Sequence, residues 1–282
     1  MRLQAFEELS PIEPVRQGFR SGRIRFHDLM AGEEGTPGNY GLQLVDVHDA
    51  FATPRHRHNF EQVRVMLDGS FGFGPGQVQH EGSVGYFCEG TYYTQAAEGR
   101  STTLLLQVGG PSGQGFMSRA QLRRGIETLA SRGQFADGVY TWSEQGKKHN
   151  QDSYEAVWEH IHGKRVTYPK PQYQAPVLMD PERFLWRTLG DGASARELGS
   201  FNGFGLRLGQ LRLEPEAVHA VDASVQAQLL FCLEGSGSAN GIPYRRWTTI
   251  ETTRGEGLKL MASTGSEFFT IGLPWFETRA IG

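Results

Sequence analysis

Apolar and polar positions alternate along much of this chain in short runs separated by turns. Gly41-Leu42-Gln43-Leu44-Val45-Asp46-Val47 steps with a period of two, as a strand with one distinct face does. Gln62 to Leu67, Gly69 to Phe73, Ser83 to Phe87 and Thr102 to Val108 continue the pattern. Gly, Pro and Asp fill the intervals, as hairpins require. The period changes after Pro111. Ser118 to Ser131 sets Leu122, Ile126 and Leu129 at helical spacing behind an N-capping serine. Asp152 to His162 repeats that spacing through Tyr154, Val157, Trp158 and Ile161, and Gly163 marks its stop. Pro169, Pro171, Pro176 and Pro181 then indicate an extended connector, and strand texture returns from Asn202 to Trp275.

The second β-rich stretch answers the first. Gly41-Leu-Gln-Leu corresponds to Gly205-Leu-Arg-Leu, and Gln62 through Gly69-Ser to Gln228 through Gly235-Ser. Thr103 through Pro111 corresponds to Glu267 through Pro274, so three anchors share offsets of 163 to 166 residues. The chain therefore holds two copies of one β unit joined by helices.

Composition narrows the function. Hydrophobic residues at 38% and aromatics at 11% supply a core and exclude disorder as the main state. Glycine is high, 37 of 282, without a collagen period, which suits a turn-rich β chain. A net charge of -3 with no basic stripe argues against a nucleic-acid partner. The start, MRLQAFEELS, lacks the apolar core of a signal peptide, and no run approaches the ~18 residues of a membrane span. Cys88 and Cys232 sit in apolar strand runs and read as buried free thiols, with the reducing cytoplasm as the expected location.

Chemistry concentrates at Pro54-Arg55-His56-Arg57-His58-Asn59-Phe60-Glu61-Gln62. Two residues apart on extended backbone, His56 and His58 share a face, and two convergent imidazoles are half of a first-row metal site. The same alternation groups Gln62, Arg64 and Met66 on one face and Val63, Val65 and Leu67 on the other.

These residues resemble the cupin superfamily. Its first motif is matched by His56-x-His58, three residues, Gln62, six residues and Gly69. Its second is matched by Gly82, five residues, Cys88-Glu89-Gly90, two residues and Tyr93. The resemblance covers about residues 41–111, with a degraded copy over about 205–274. It implies an all-β dominated fold: two double-stranded β-helix (jelly-roll) barrels with a helical insert. The expected segments are 1–115 for the first barrel, 116–200 for the insert and connector, and 201–282 for the second barrel. It further implies a divalent metal (Fe, Mn, Ni or Zn) held by His56, His58, Gln62 and Tyr93.

The departures from the motif matter. Gln62 stands where the family has a glutamate, and Glu61 lies one position early and should point away. Tyr93 stands in place of the third histidine and binds metal well only as phenolate, whose unperturbed pKa is about 10. The alternative is a metal-free pocket in which these four residues form a hydrogen-bonded network. Arg64 shares parity with Gln62 and should face the interior, where its partner is a substrate carboxylate or an internal acid. In the second copy the corresponding positions are Asp222, Ser224, Gln228, Leu230 and Cys232, so that barrel should be structural.

The expected function is a metal-dependent bicupin enzyme acting on a small organic acid or aromatic metabolite in the first barrel, by dioxygenation or isomerisation, with Tyr93 and Arg64 as catalytic residues. The alternatives are a metal-free isomerase, epimerase or cyclase using Tyr93 and a histidine as acid and base, and a small-molecule binding protein without turnover. A homodimer is an expected assembly.

Overall fold

The computed structural model describes residues 1–12, 24–48, 50–97 and 99–276. The chain divides into two compact units, Pro11–Leu178 and a second made of Met1–Ser10 with Met179–Gly282. These bounds differ from the three segments drawn from the sequence. The first ten residues group with the C-terminal barrel, because Arg2–Gln4 (β1) adds a strand there. The helical segment groups with the first barrel.

The first unit contains Ile24–Ala31 (β2), Tyr40–Val47 (β3), Phe51–His56 (β4), Glu61–Asp68 (β5), Ser70–Gly74 (β6), Gln77–His80 (β7), Val84–Phe87 (β8), Tyr93–Ala97 (β9) and Ser101–Val108 (β10). Two sheets form, in the orders β8-β5-β10-β3-β2 and β4-β9-β6-β7, and Val177–Met179 (β14) extends the first beyond β8. The pairings within both orders are antiparallel. The register sets Leu105 beside both Gln43 and Arg64, and Gln107 beside both Gly41 and Gln62. Strand alternation then puts Gln43, Gln62, Arg64, Leu105 and Gln107 on one face and Leu42, Leu44, Val63 and Leu104 on the other, all buried but Leu105 and Gln107, which are half-buried.

Next in the sequence of the first unit come Arg119–Ala130 (α1), a three-stranded antiparallel sheet of Gly133–Ala136 (β11), Val139–Glu144 (β12) and Lys147–Asp152 (β13), and Ser153–His162 (α2). Both helices were predicted within a residue or two. Ser118 and Gln121 form a capping box at α1, Asp152 accepts from the backbone N–H groups of Tyr154 and Glu155 at α2, and Gly163 ends α2 with φ 63°. The small sheet was not predicted. Its signals are two turns, Asp137-Gly138 and Gln145-Gly146, in which both residues have positive φ. Met117, Ile126, Leu129, Tyr140, Val157 and Trp158 form the core of this segment.

The second unit comprises Arg187–Gly190 (β15), Ala193–Phe201 (β16), Leu206–Leu213 (β17), Val218–Val221 (β18), Gln228–Glu234 (β19), Ser236–Ala239 (β20), Ile242–Arg245 (β21), Thr249–Thr252 (β22), Leu258–Ala262 (β23) and Ser266–Gly272 (β24). Its sheets run β1-β22-β19-β24-β17-β16-β15 and β18-β23-β20-β21. The order β22-β19-β24-β17-β16 repeats β8-β5-β10-β3-β2, and β18-β23-β20-β21 repeats β4-β9-β6-β7. The internal repeat read from three sequence anchors is thus a repeat of topology. No helix among the described residues is long and apolar enough to cross a membrane.

Candidate active site in the first barrel

The paired histidines sit where β4 ends. His56 lies opposite Tyr93 across the β4–β9 ladder, and the register slips between Thr53 and His56. The His56 and His58 ring centroids are 5.1 Å apart with planes at 83°. The ring of Tyr93 lies 4.5 Å from that of His56 and 5.8 Å from that of His58. Thr53 Oγ1 is 3.3 Å from His56 Nδ1. Alternation sends the intervening arginines the other way: the guanidinium groups of Arg55 and Arg57 lie 4.1 and 4.8 Å from the ring centre of Tyr92, and Arg57 also lies 4.0 Å from that of Tyr168.

Gln62 is the hub of the site. Its Oε1 accepts from Arg64 Nη2 at 2.9 Å and from Tyr93 Oη at 2.9 Å. An amide oxygen has two lone pairs, and these two donors engage both. Arg64 is 4% exposed, with its guanidinium 4.6 Å from the ring centre of Phe87 and 4.9 Å from that of Tyr93. Glu61 points to the opposite face, as its parity predicts, and accepts from Tyr86 Oη at 2.7 Å. Burial, and then the charge of Glu61, pushes the Tyr86 phenol well above its ordinary range. Near Glu61, Glu89 accepts from the Ser112 backbone N–H at 2.8 Å and its hydroxyl at 2.6 Å; burial raises this carboxyl against those bonds.

A cavity of about 200 Å³ fills the barrel interior. His58, Gln62 and Arg64 line it; His56 and Tyr93 stand outside its lining, next to those residues. The helical segment lines part of the cavity, with Phe116, Met117, Arg119, Leu122 and Ile126 from α1 and the loop before it, and Tyr154 from α2. That loop is fastened by Glu89 to Ser112, by the side chain of Gln114 to the backbone of Thr167, and by Asn39 Nδ2 donating to Phe116 O at 3.0 Å. Gly41 makes room for the cap, since a Cβ there would meet the Phe116 ring at 3.2 Å. Sequence reasoning missed Arg119 and Tyr154, which nothing in local spacing marks. It also missed Gln43 and Gln107, whose strand parity was legible.

The structure brings the four expected metal donors near one another: Tyr93 donates to Gln62, and the rings of His56 and His58 lie against that of Tyr93. Among the described residues no group of three His, Cys, Asp or Glu side chains could hold a metal ion. The residue in the carboxylate's place is a neutral amide already engaged by a guanidinium and a phenol. A second cation would have to displace those donors beside the charge of Arg64. The residues as arranged do not fit a two-histidine, one-carboxylate centre.

The second barrel does not repeat these side chains among its described residues. Leu230 and Cys232 replace Arg64 and Met66, and pack with Leu211, Tyr244, Ile250 and Phe268 into a continuous apolar core. Asp222 and Ser224, at the histidine positions, lie outside any strand.

No protein-family model matches the chain, and no curated protein matches it in sequence. Solved structures do match. One is Streptomyces albus HEPD with 2-hydroxyethylphosphonate and Fe(II) bound, 13% identical, covering 99% of this chain and 77% of that one, with a TM-score of 0.60. The DEL162-163 mutant of Bacillus subtilis oxalate decarboxylase OxdC is 12% identical over 96% of this chain and 76% of its own, with a TM-score of 0.59. Vicilin from hazelnut, Corylus avellana, is 10% identical over 96% and 86%, with a TM-score of 0.56. The chain is a cupin-fold protein. Its two barrels make it a bicupin, one barrel holding a cavity lined mostly by apolar side chains and the other filled.

Proposed function

We propose that the first barrel binds a small organic acid and moves a proton on it without a metal. The observation that carries this reading is Arg64 on the cavity wall, oriented by the same Gln62 oxygen that Tyr93 holds. A planar guanidinium matches a carboxylate's two oxygens, and in an apolar cavity that match is strong. His58 is the proton acceptor: it lines the cavity, is 7% exposed, and is braced by Phe60 at 4.5 Å between ring centroids. Its imidazole takes a proton from the carbon next to the carboxylate. The C–H electron pair moves onto the carboxylate oxygens as an enediolate, which Arg64 stabilises, and return of the proton completes an isomerisation or epimerisation. Tyr93 is a positioning residue that fixes Gln62 and, through it, Arg64.

The metal-dependent reading, which the sequence ranks first, requires Gln62 to release Arg64 and Tyr93. Metal analysis of the purified protein separates the two. The expected result is metal well below one equivalent, with acid-dependent exchange of substrate hydrogen for solvent deuterium surviving exhaustive chelation and lost in His58→Gln. A stoichiometric metal that disappears in His56→Ala with His58→Ala, together with loss of exchange on chelation, overturns the metal-free reading.

A further inference from the structure

We infer that the acid taken by this cavity carries a single carboxylate on an apolar body, and that α1 limits the length of that body. This rests on the reading of Arg64 as the anion anchor. The first argument concerns the second charge. The second guanidinium among the described lining residues is that of Arg119, which pairs with Asp28 at 3.4 Å and lies 4.0 Å from the ring centre of Phe26. Gln43, its polar neighbour across the cavity wall, donates to the same Asp28 at 2.8 Å. The Thr103 hydroxyl is turned to Met66 Sδ, and the Tyr154 hydroxyl donates to Asn59 at 2.7 Å. The remaining polar liners away from Arg64, Gln95 and Gln107, are neutral amides, so a second carboxylate would have to break the Arg119–Asp28 pair or sit without a cation among mostly apolar side chains, and either is costly.

The second argument concerns the walls. The strands present Val45, Val47, Phe51, Phe71 and Leu105 to the cavity, and α1 presents Leu122 and Ile126 from successive turns. Arg64 on the strands and Leu122 and Ile126 on α1 line the same cavity, so an apolar body held at the anchor packs against α1. That helix is a fixed boundary. Its Gly125 lets it approach α2 closely, since a Cβ there would fall 2.6 Å from Val157, and the loop before it is tied to Glu89, Thr167 and Asn39. Each methylene buried before the tail reaches α1 contributes roughly a fourfold gain in affinity, and the next one meets a wall.

Calorimetric titration of the full chain tests this with straight-chain monocarboxylates of four to twelve carbons, the matching α,ω-dicarboxylates and the primary amides. The expected result is affinity that rises about fourfold per methylene to a sharp optimum, with diacids and amides at least about tenfold weaker at that length. Leu122→Ala moves the optimum one or two carbons longer, and the milder Ile126→Val does so by less. Diacids binding as tightly as monoacids, with Arg64→Met still abolishing both, overturn the single-charge inference and leave the organic-acid reading standing. An unmoved optimum in both α1 variants, each with a wild-type unfolding transition, overturns the role of α1. Acid binding that is absent, or indifferent to Arg64→Met, overturns the anion-anchor reading itself.

Discussion

Arg64 and Tyr93 donate to one oxygen, each 2.9 Å from Gln62 Oε1. Arg64 stands on β5 in the larger sheet and Tyr93 on β9 in the smaller one, so this shared acceptor links the two walls of the barrel. It also keeps the guanidinium uncompensated by Gln62 itself, because an amide accepts without carrying charge. Replacing it by glutamate reverses that. In Gln62→Glu the new carboxylate pairs with Arg64 and competes with any bound acid. Titration should show acid binding weakened by about tenfold or more.

Tyr93→Phe tests whether this phenol acts on substrate or through Gln62. The ring stays against His56, Phe87 and the Arg64 guanidinium, and one hydrogen bond is lost. Denaturant unfolding should report a loss of about 0.5–1.5 kcal/mol. KM for the acid should rise while the rate of hydrogen exchange at saturation changes only a few-fold. A fall in that rate as large as in His58→Gln would make Tyr93 a catalytic group.

Gly110 is a packing constraint beside the buried acids. A Cβ there would lie 2.6 Å from Glu89 Oε2 and 3.1 Å from Glu61 Cγ, both on buried side chains. Gly110→Ala should destabilise the protein by about 1–3 kcal/mol in denaturant unfolding, as overpacking does. It should also loosen the Glu89–Ser112 link that holds the loop leading to α1.

The thiols should be inert while the chain is folded. Burial pushes the Cys232 thiol up to about 12, and Cys88 is 5% exposed with its sulfur 3.1 Å from Thr91 Oγ1. At pH 8 an aromatic disulfide reagent should find neither thiol in native protein and both in denaturant. The unfolded chain releases the Cys232 proton near 9 while the folded chain keeps it to about 12. This cysteine's contribution to stability is therefore complete below pH 9 and is lost as pH rises through that window.

Phe268 stands at the centre of the filled barrel, fully buried among Leu230, Cys232 and Tyr244. Phe268→Ala should cost about 3–5 kcal/mol in the unfolding transition of the second unit. Acid titration of the folded variant should match wild type, since the ligand cavity belongs to the first unit.

Local pattern determined a good deal. Period-two alternation placed Arg64 with Gln62 and turned Glu61 away, because successive residues on a strand point to opposite faces whatever the sheet does next. Three anchors revealed the repeat, and Leu230 with Cys232 marked the second barrel as core. Capping and stop residues located both helices. What local pattern could not reach was everything decided by residues far apart in sequence. The sharing of Gln62 Oε1 by Tyr93 joins positions 31 residues apart, and the lining of the cavity by Arg119 and Tyr154 depends on how a helical segment folds back over strands. Whether four potential ligands make a metal shell or a hydrogen-bonded network depends on which lone pair faces which donor. That is settled by side-chain positions in space, and spacing along a strand does not encode them.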